Sequence, residues 1–141
     1  MGSSDTHAWK LLATRARYLK GDFEREGKTI VRDGAEGFCA AVKRDMPVRT
    51  GRAKAGWGRY TPEDLMIPNA DSRPSDAVWV ISEKGWSIRQ GTNVPYTEYL
   101  NAGHSQQAPA GFIDRNLAFA VEDMRHRMRG LRSLVRALAG R

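Results

Sequence analysis

The sequence predicts an α+β domain, and three observations carry that prediction. Apolar side chains recur at helical spacing before residue 45, a β-rich hairpin pattern stands past the middle, and a long heptad-like apolar seam runs to the C-terminus.

Residues 6–20 mix Trp9, Leu11, Leu12 and Leu19 with Lys10, Arg15, Arg17 and Lys20, the pattern of a short amphipathic helix that should end near Gly21. A second helix is predicted from Asp22 to Arg44, with Phe23, Ile30, Val31, Ala35, Phe38 and Val42 on its apolar face. Gly27, Gly34 and Gly37 each weaken a helix by about 1 kcal/mol relative to Ala, or else let a neighbouring backbone approach closely. Pro47 has no amide to donate and disfavours helix at Met46, so the helix should stop there.

Arg49-Thr50-Gly51-Arg52 reads as a turn. Ala53, Ala55 and Trp57 follow at every second position, which predicts a strand with one buried face. Residues 61–76 contain Pro62, Pro68 and Pro74 and read as a long loop, a length that in a compact domain is usually functional or mobile. The hairpin comes next: Ala77 to Ser82 forms one strand, Glu83-Lys84-Gly85 turns, and Trp86 to Gln90 returns. Gly91 to Pro95 interrupts the pattern, and Thr97 to Ala102 has room for one or two helical turns closed by Gly103.

Leu117, Val121, Met124, Met128, Leu131, Val135 and Leu138 then alternate at intervals of four and three, predicting one helix from about Phe112 to Leu138, with Gly130 as the point where it could bend. Such a seam fits first a helix packing on its own sheet, and its length on so small a domain also leaves room for contact with another subunit.

At 141 residues the chain is of single-domain size. The expected organisation is an amphipathic arm over residues 1–20 and one domain over 21–141. No apolar run approaches the roughly 20 residues of a membrane span, and the polar start Met1 to Asp5 lacks the apolar centre of a signal peptide, so synthesis in the cytoplasm is expected. The net charge of +7 is unevenly spread. Residues 1–59 hold 13 Lys/Arg against 7 Asp/Glu, residues 60–111 hold 3 against 6, and residues 112–141 hold 7 against 3. Basic ends around an acidic middle suit a polyanion partner, a self-complementary assembly, or simply solvated helix faces.

Residue patterns for catalysis are missing. His7, His104 and His126 have no metal-ligand spacing, and Ser105 beside His104 lies outside any strand-to-helix nucleophile turn. Cys39 falls on the apolar face of the second helix, where burial disfavours the thiolate. Glu63 and Asp64 have no partner acid at a suggestive spacing, and the glycines match no phosphate- or dinucleotide-binding loop. A non-enzymatic protein without metal or cofactor is expected. Arg125, Arg127, Arg129, Arg132 and Arg136 spread around the C-terminal helix and are suited to phosphate contact without base readout.

Two segments carry a family resemblance. Met46-Pro47-Val48-Arg49-Thr50-Gly51-Arg52-Ala53-Lys54-Ala55-Gly56-Trp57 resembles the "T-P-V-D/R-T-G-R-A-R-x-x-W" stretch of phage tail-completion proteins, the group that includes the minor tail protein Z type of lambda-like phages. The run from Val94-Pro95-Tyr96 through Leu100-Asn101-Ala102-Gly103 and Ser105-Gln106-Gln107-Ala108-Pro109-Ala110-Gly111 to Phe112 resembles that family's "P-Y-A-x-x-L-E-x-G-x-S-x-Q-A-P-x-G" signature. Met46 and Asn101 depart from it, standing where Thr and Glu are usual. With the flanking helices the likeness spans roughly residues 20–135.

The resemblance implies an α+β fold in which a small antiparallel sheet packs against a long helix of the N-terminal half and a long C-terminal helix. It also implies a head-tail joining role in the virion neck of a phage or gene-transfer particle. There a ring, typically hexameric, sits between head-connector or stopper proteins and the tail terminator, with genomic DNA passing through and no membrane involved. On this reading Pro47, Thr50, Gly51, Trp57, Pro95, Tyr96, Gly103, Pro109 and Gly111 define the fold. Arg49, Arg52, Ser105, Gln106 and Gln107 are candidates for subunit or neck-protein contact, and the arginines from Arg125 to Arg136 for the DNA channel or an acidic neighbour. A tail terminator or stopper, or a nonspecific DNA-binding module, are the competing expectations.

Overall fold

A computed structural model describes residues 3–46, 51–59, 61–62, 64, 74–106 and 108–140. Pro47, Arg49, Thr50, Gln107 and most of the expected loop over residues 61–76 lie outside the described residues. The order is α1 (Ser3–Asp45), α2 (Arg52–Ala55), a short 3₁₀ turn (Pro74–Asp76), β1 (Ala77–Ile81), β2 (Ile88–Thr92), α3 (Thr97–Asn101) and α4 (Phe112–Ala139). The fold is α+β as predicted: two long helices with a two-stranded antiparallel sheet packed against them. Among the described residues no helix is long and apolar enough to cross a membrane.

The expected helix break at Gly21 does not occur. α1 is continuous over 43 residues, roughly 65 Å at helical rise. One glycine costs about 1 kcal/mol in a helix interior, and no proline lies near to remove a hydrogen bond. The seam residues Leu19 and Phe23 on either side are both half-buried. α1 ends at Asp45, just before Met46, where the proline next in the sequence disfavours helix.

α4 lies antiparallel along α1. Asn116 meets Asp45 at one end of the contact and Arg127 meets Asp33 further along. The seam residues Val121, Met124, Met128, Leu131 and Val135 are half-buried, whereas Leu117 is 45% exposed. Glycines in α1 set how near the helices and hairpin come. A β-carbon at Gly34 would overlap Met124, and one at Gly27 would lie 2.5 Å from the Trp86 indole, whereas Gly37 faces open space.

The hairpin pairs Ala77 with Thr92 through Ile81 with Ile88. Gly85 supplies the positive φ of 74° that its turn requires. The second strand begins and ends two residues later than expected. Ser82 and Ser87 close the ladder, with the Ser82 amide donating to the Ser87 carbonyl at 2.9 Å. Trp86 is thereby released into the turn, where its ring lies 6.5 Å from that of Phe23. An isolated hairpin is marginal in water, and this one is tied to α1 by Gln90, whose amide donates to the Ala35 carbonyl at 2.8 Å.

The strand expected at residues 53–57 is instead the single helical turn α2, followed by a bend. Ala is a weak strand former and a strong helix former, and five residues are too few for alternation to exclude a helical turn. Gly51 at φ 67° opens the turn. The core gathers Phe38, Cys39, Val42 and Met46 of α1 with Ala53, Trp57, Ala108 and Phe112.

Candidate functional site

The two segments that carry the family likeness pack into one junction. Ala53, at the start of α2, has an amide with no carbonyl partner inside its own turn, and it donates to the Tyr96 hydroxyl at 3.1 Å. Arg52 grips the buried Asp76 with two hydrogen bonds, 3.2 and 3.3 Å. The Asp76 carbonyl in turn accepts from the Asn93 amide at 2.7 Å and the Thr92 hydroxyl at 3.3 Å. Gly56 lies where a β-carbon would meet Val94 at 2.9 Å and Asp76 at 3.0 Å. Trp57 sits edge-on to Phe38 with ring centres 6.1 Å apart, and its Nε1 donates to Gln90 Oε1 at 3.2 Å. Trp57 is therefore core, 7% exposed.

The second segment turns the chain from α3 into α4. Gly103 has φ 87° and packs against Ala110, where a β-carbon would approach within 2.8 Å. Gly111 has φ 67° and forms the N-cap of α4. Asn101 performs the capping chemistry. Its carbonyl oxygen Oδ1 accepts the Ile113 amide at 3.0 Å, and its Nδ2 donates to Asp114 at 2.9 Å. Its backbone carbonyl takes the Gly111 amide at 2.6 Å. A glutamate here would accept from Ile113 but has nothing to donate to Asp114. The departure from the family pattern at Asn101 thus goes with an internal cap.

Tyr96 is 37% exposed, and Pro95, Gln106 and Pro109 also reach solvent, while Ser105 is half-buried. Arg52 is committed to Asp76, although 37% of its side chain stays exposed. Arg49 and Gln107 lie outside the described residues.

The five α4 arginines from Arg125 to Arg136 do not join this junction. Arg125, Arg129, Arg132 and Arg136 are exposed along the distal half of the helix. Arg127 is half-buried and donates to Asp33 at 3.1 Å. That half of α4 runs beside the middle of α1, where Arg127 meets Asp33 and Met128 lies near Gly27.

Several groups stand apart from any reactive arrangement. Cys39 is buried, and its thiol donates to the Trp57 carbonyl over 3.8 Å. His104 stacks loosely on Tyr99 at 5.5 Å. Among the described residues no three His, Cys, Asp or Glu side chains gather to hold a metal. Asp64, which lacks a partner in the sequence pattern, is buried and bonded to Lys43 Nζ at 2.7 Å.

Two hollows lie along α4. A groove of about 540 Å³ between the hairpin and α4 is floored by Phe38 and Trp57, and its lining holds Arg89 and no acid. The other, of about 260 Å³, lies between Gly37 and Ala41 of α1 and Phe119 of α4, flanked by Asp33 and Asp123. Comparison with family models, curated proteins and solved structures finds no match, so the likeness to tail-completion proteins stands on the two segments alone.

Proposed function

We propose that this chain is a structural protein of the virion neck, a tail-completion protein that assembles as a ring and joins a phage or phage-like tail to its head connector. The observation that carries this reading is the junction itself. Two segments, each resembling the same family, are bonded to each other through the Ala53 amide and the Tyr96 hydroxyl, residues 43 apart in sequence. Its residues build a helical turn, a loop and a cap, and the groups they present outward are suited to protein contact rather than to bond making.

Imaging of particles that lack the protein tests the assignment. Unjoined heads and tails are expected; normally joined, infectious particles would sink it.

The exposed Arg125, Arg129, Arg132 and Arg136 favour a second reading, a nonspecific DNA-binding module. The purified chain would then hold duplex DNA by itself and release it steeply with salt, with a log–log slope of about −0.9 per phosphate neutralised. On the neck reading, reversal of Arg125, Arg129 and Arg132 to Glu blocks assembly or infectivity through the channel or an acidic neighbour. Full infectivity of that variant removes the α4 arginines from the assignment.

A further inference from the structure

The α4-facing seam of α1 outruns its partner. Met128 reaches Gly27, and the remaining turns of α4 run toward Leu19, the described half-buried residue nearest the N-terminus. Every residue from 6 to 18 is exposed, a helical overhang of roughly 20 Å. Along it Trp9, Leu12 and Ala16 continue the spacing of Leu19, Phe23 and Ile30 without any partner among the described residues. Trp9 is 71% exposed and Leu12 61%. Residues 6–21 hold Lys10, Arg15, Arg17 and Lys20 and no acid.

We infer that this overhang docks on a second copy of the chain, into the hollow flanked by Asp33 and Asp123. Charge selects the hollow. The groove beside the hairpin carries Arg89 and no acid, the hollow beside Trp79 sets Lys43 and Arg59 against Glu36, and the one beside Pro95 holds a single acid, Glu98. The lining of the hollow between Gly37 and Phe119 holds two carboxylates and no base. Arg127 engages Asp33, whereas Asp123 pairs with no base among the described residues. Phe119, 78% exposed at the edge of this hollow, offers an aromatic contact for Trp9 or Leu12. Pairing of two overhangs would instead set Lys10, Arg15 and Arg17 against their own copies.

The contact must be between copies. Leu12 and Gly37 lie on one continuous helix, roughly 38 Å apart, so no chain can reach its own hollow. Overhang into hollow is a heterologous contact, which closes into a ring or runs on as a filament. It deepens the proposed neck role and rests on that reading only for closure into a ring.

Mixing two full-length variants, Leu12→Cys and Phe119→Cys, one of them mass-tagged, tests the docking by disulfide formation. Cys39 is buried and stays out of the exchange. The mixed 12–119 product should form about tenfold faster than 12–12, because docking raises the effective concentration of that pair. Introducing Asp123→Lys beside Phe119→Cys should abolish the preference, and adding Arg15→Glu and Arg17→Glu to the Leu12→Cys chain should restore it. Dominant 12–12 product, no preference, or no response to charge overturns the inference. A mixed product alongside normally joined particles in the deletion would sink the neck reading and leave the docking standing. Unjoined particles without the mixed product would do the reverse.

Discussion

Met124 of α4 lies so close to Gly34 of α1 that its Cγ and Sδ occupy the space a β-carbon would need. The glycine thus sets the separation of the two long helices. Gly34→Ala would gain about 1 kcal/mol of helix propensity but force Met124 off its packing, at a cost of roughly 1–3 kcal/mol. Strain should win, since Cγ is near the Met124 backbone and moves little. A methyl group on Gly21 would meet no atom within 4 Å, so Gly21→Ala should stabilise by about 0.5–1 kcal/mol. Urea unfolding of both variants checks the pair, and a Gly34→Ala protein as stable as wild type would refute close packing there.

Tyr96 takes the amide of buried Ala53, and replacing it by Phe leaves that donor without its acceptor while keeping the ring. An orphaned buried amide costs about 1–3 kcal/mol. Tyr96→Phe should therefore lower stability by that amount. Tyr99 is 66% exposed, and Tyr99→Phe should change stability by less than about 0.5 kcal/mol. Equal effects from the two substitutions would mean that the hydroxyl does not join the segments.

What the sequence discloses tracks how local each signal is. The seam of α4 repeats over seven positions, and the hairpin has β-branched residues beside Gly85, so both can be read without knowing any partner. Ala53, Ala55 and Trp57 mislead because three alternating residues fit a strand or a helical turn equally well. Asn101 stands out in the sequence only as a departure from a pattern, since its cap on Ile113 spans a loop. Gln90 bonds Ala35 across 55 residues and Asp64 bonds Lys43 across 21. Neither leaves a local mark in the chain. The overhang of α1 is legible as an amphipathic arm, but its lack of a partner depends on where α4 ends.

Asp45 closes the contact between α1 and α4 near their other ends. Hydrogen bonds from Arg44 and then from Asn116 hold its carboxyl below the usual carboxylate range, against a smaller opposing effect of burial. A depressed folded-state pKa gives stability that is complete above the unfolded value of about 4. That stability is lost as pH falls through the lower folded value. The melting temperature of wild type should exceed that of Asp45→Asn at neutral pH, and the gap should close below that range. A gap independent of pH would show that the charge on Asp45 contributes nothing.

Lys43 and Asp64 form an ion pair with side chains only 12% and 5% exposed. Lys43 Nζ also donates to the Arg59 carbonyl at 2.8 Å, while Asp64 accepts from the Thr61 amide and hydroxyl at 2.6 and 3.1 Å. The pair therefore fastens the segment after α2 to the last turns of α1. Removing one partner strands a buried charge, a loss of about 3–5 kcal/mol where burial is complete. Lys43→Met should fall near the lower bound, about 3 kcal/mol, because the lysine keeps some access to water. Asp64→Asn keeps an acceptor for the Thr61 amide, so Lys43→Met with Asp64→Asn should cost clearly less than the two single changes added together. The difference measures the pair directly in a double-mutant cycle of unfolding free energies. Strict additivity would mean that the two charges do not act on each other, and that the segment is held to α1 without this pair.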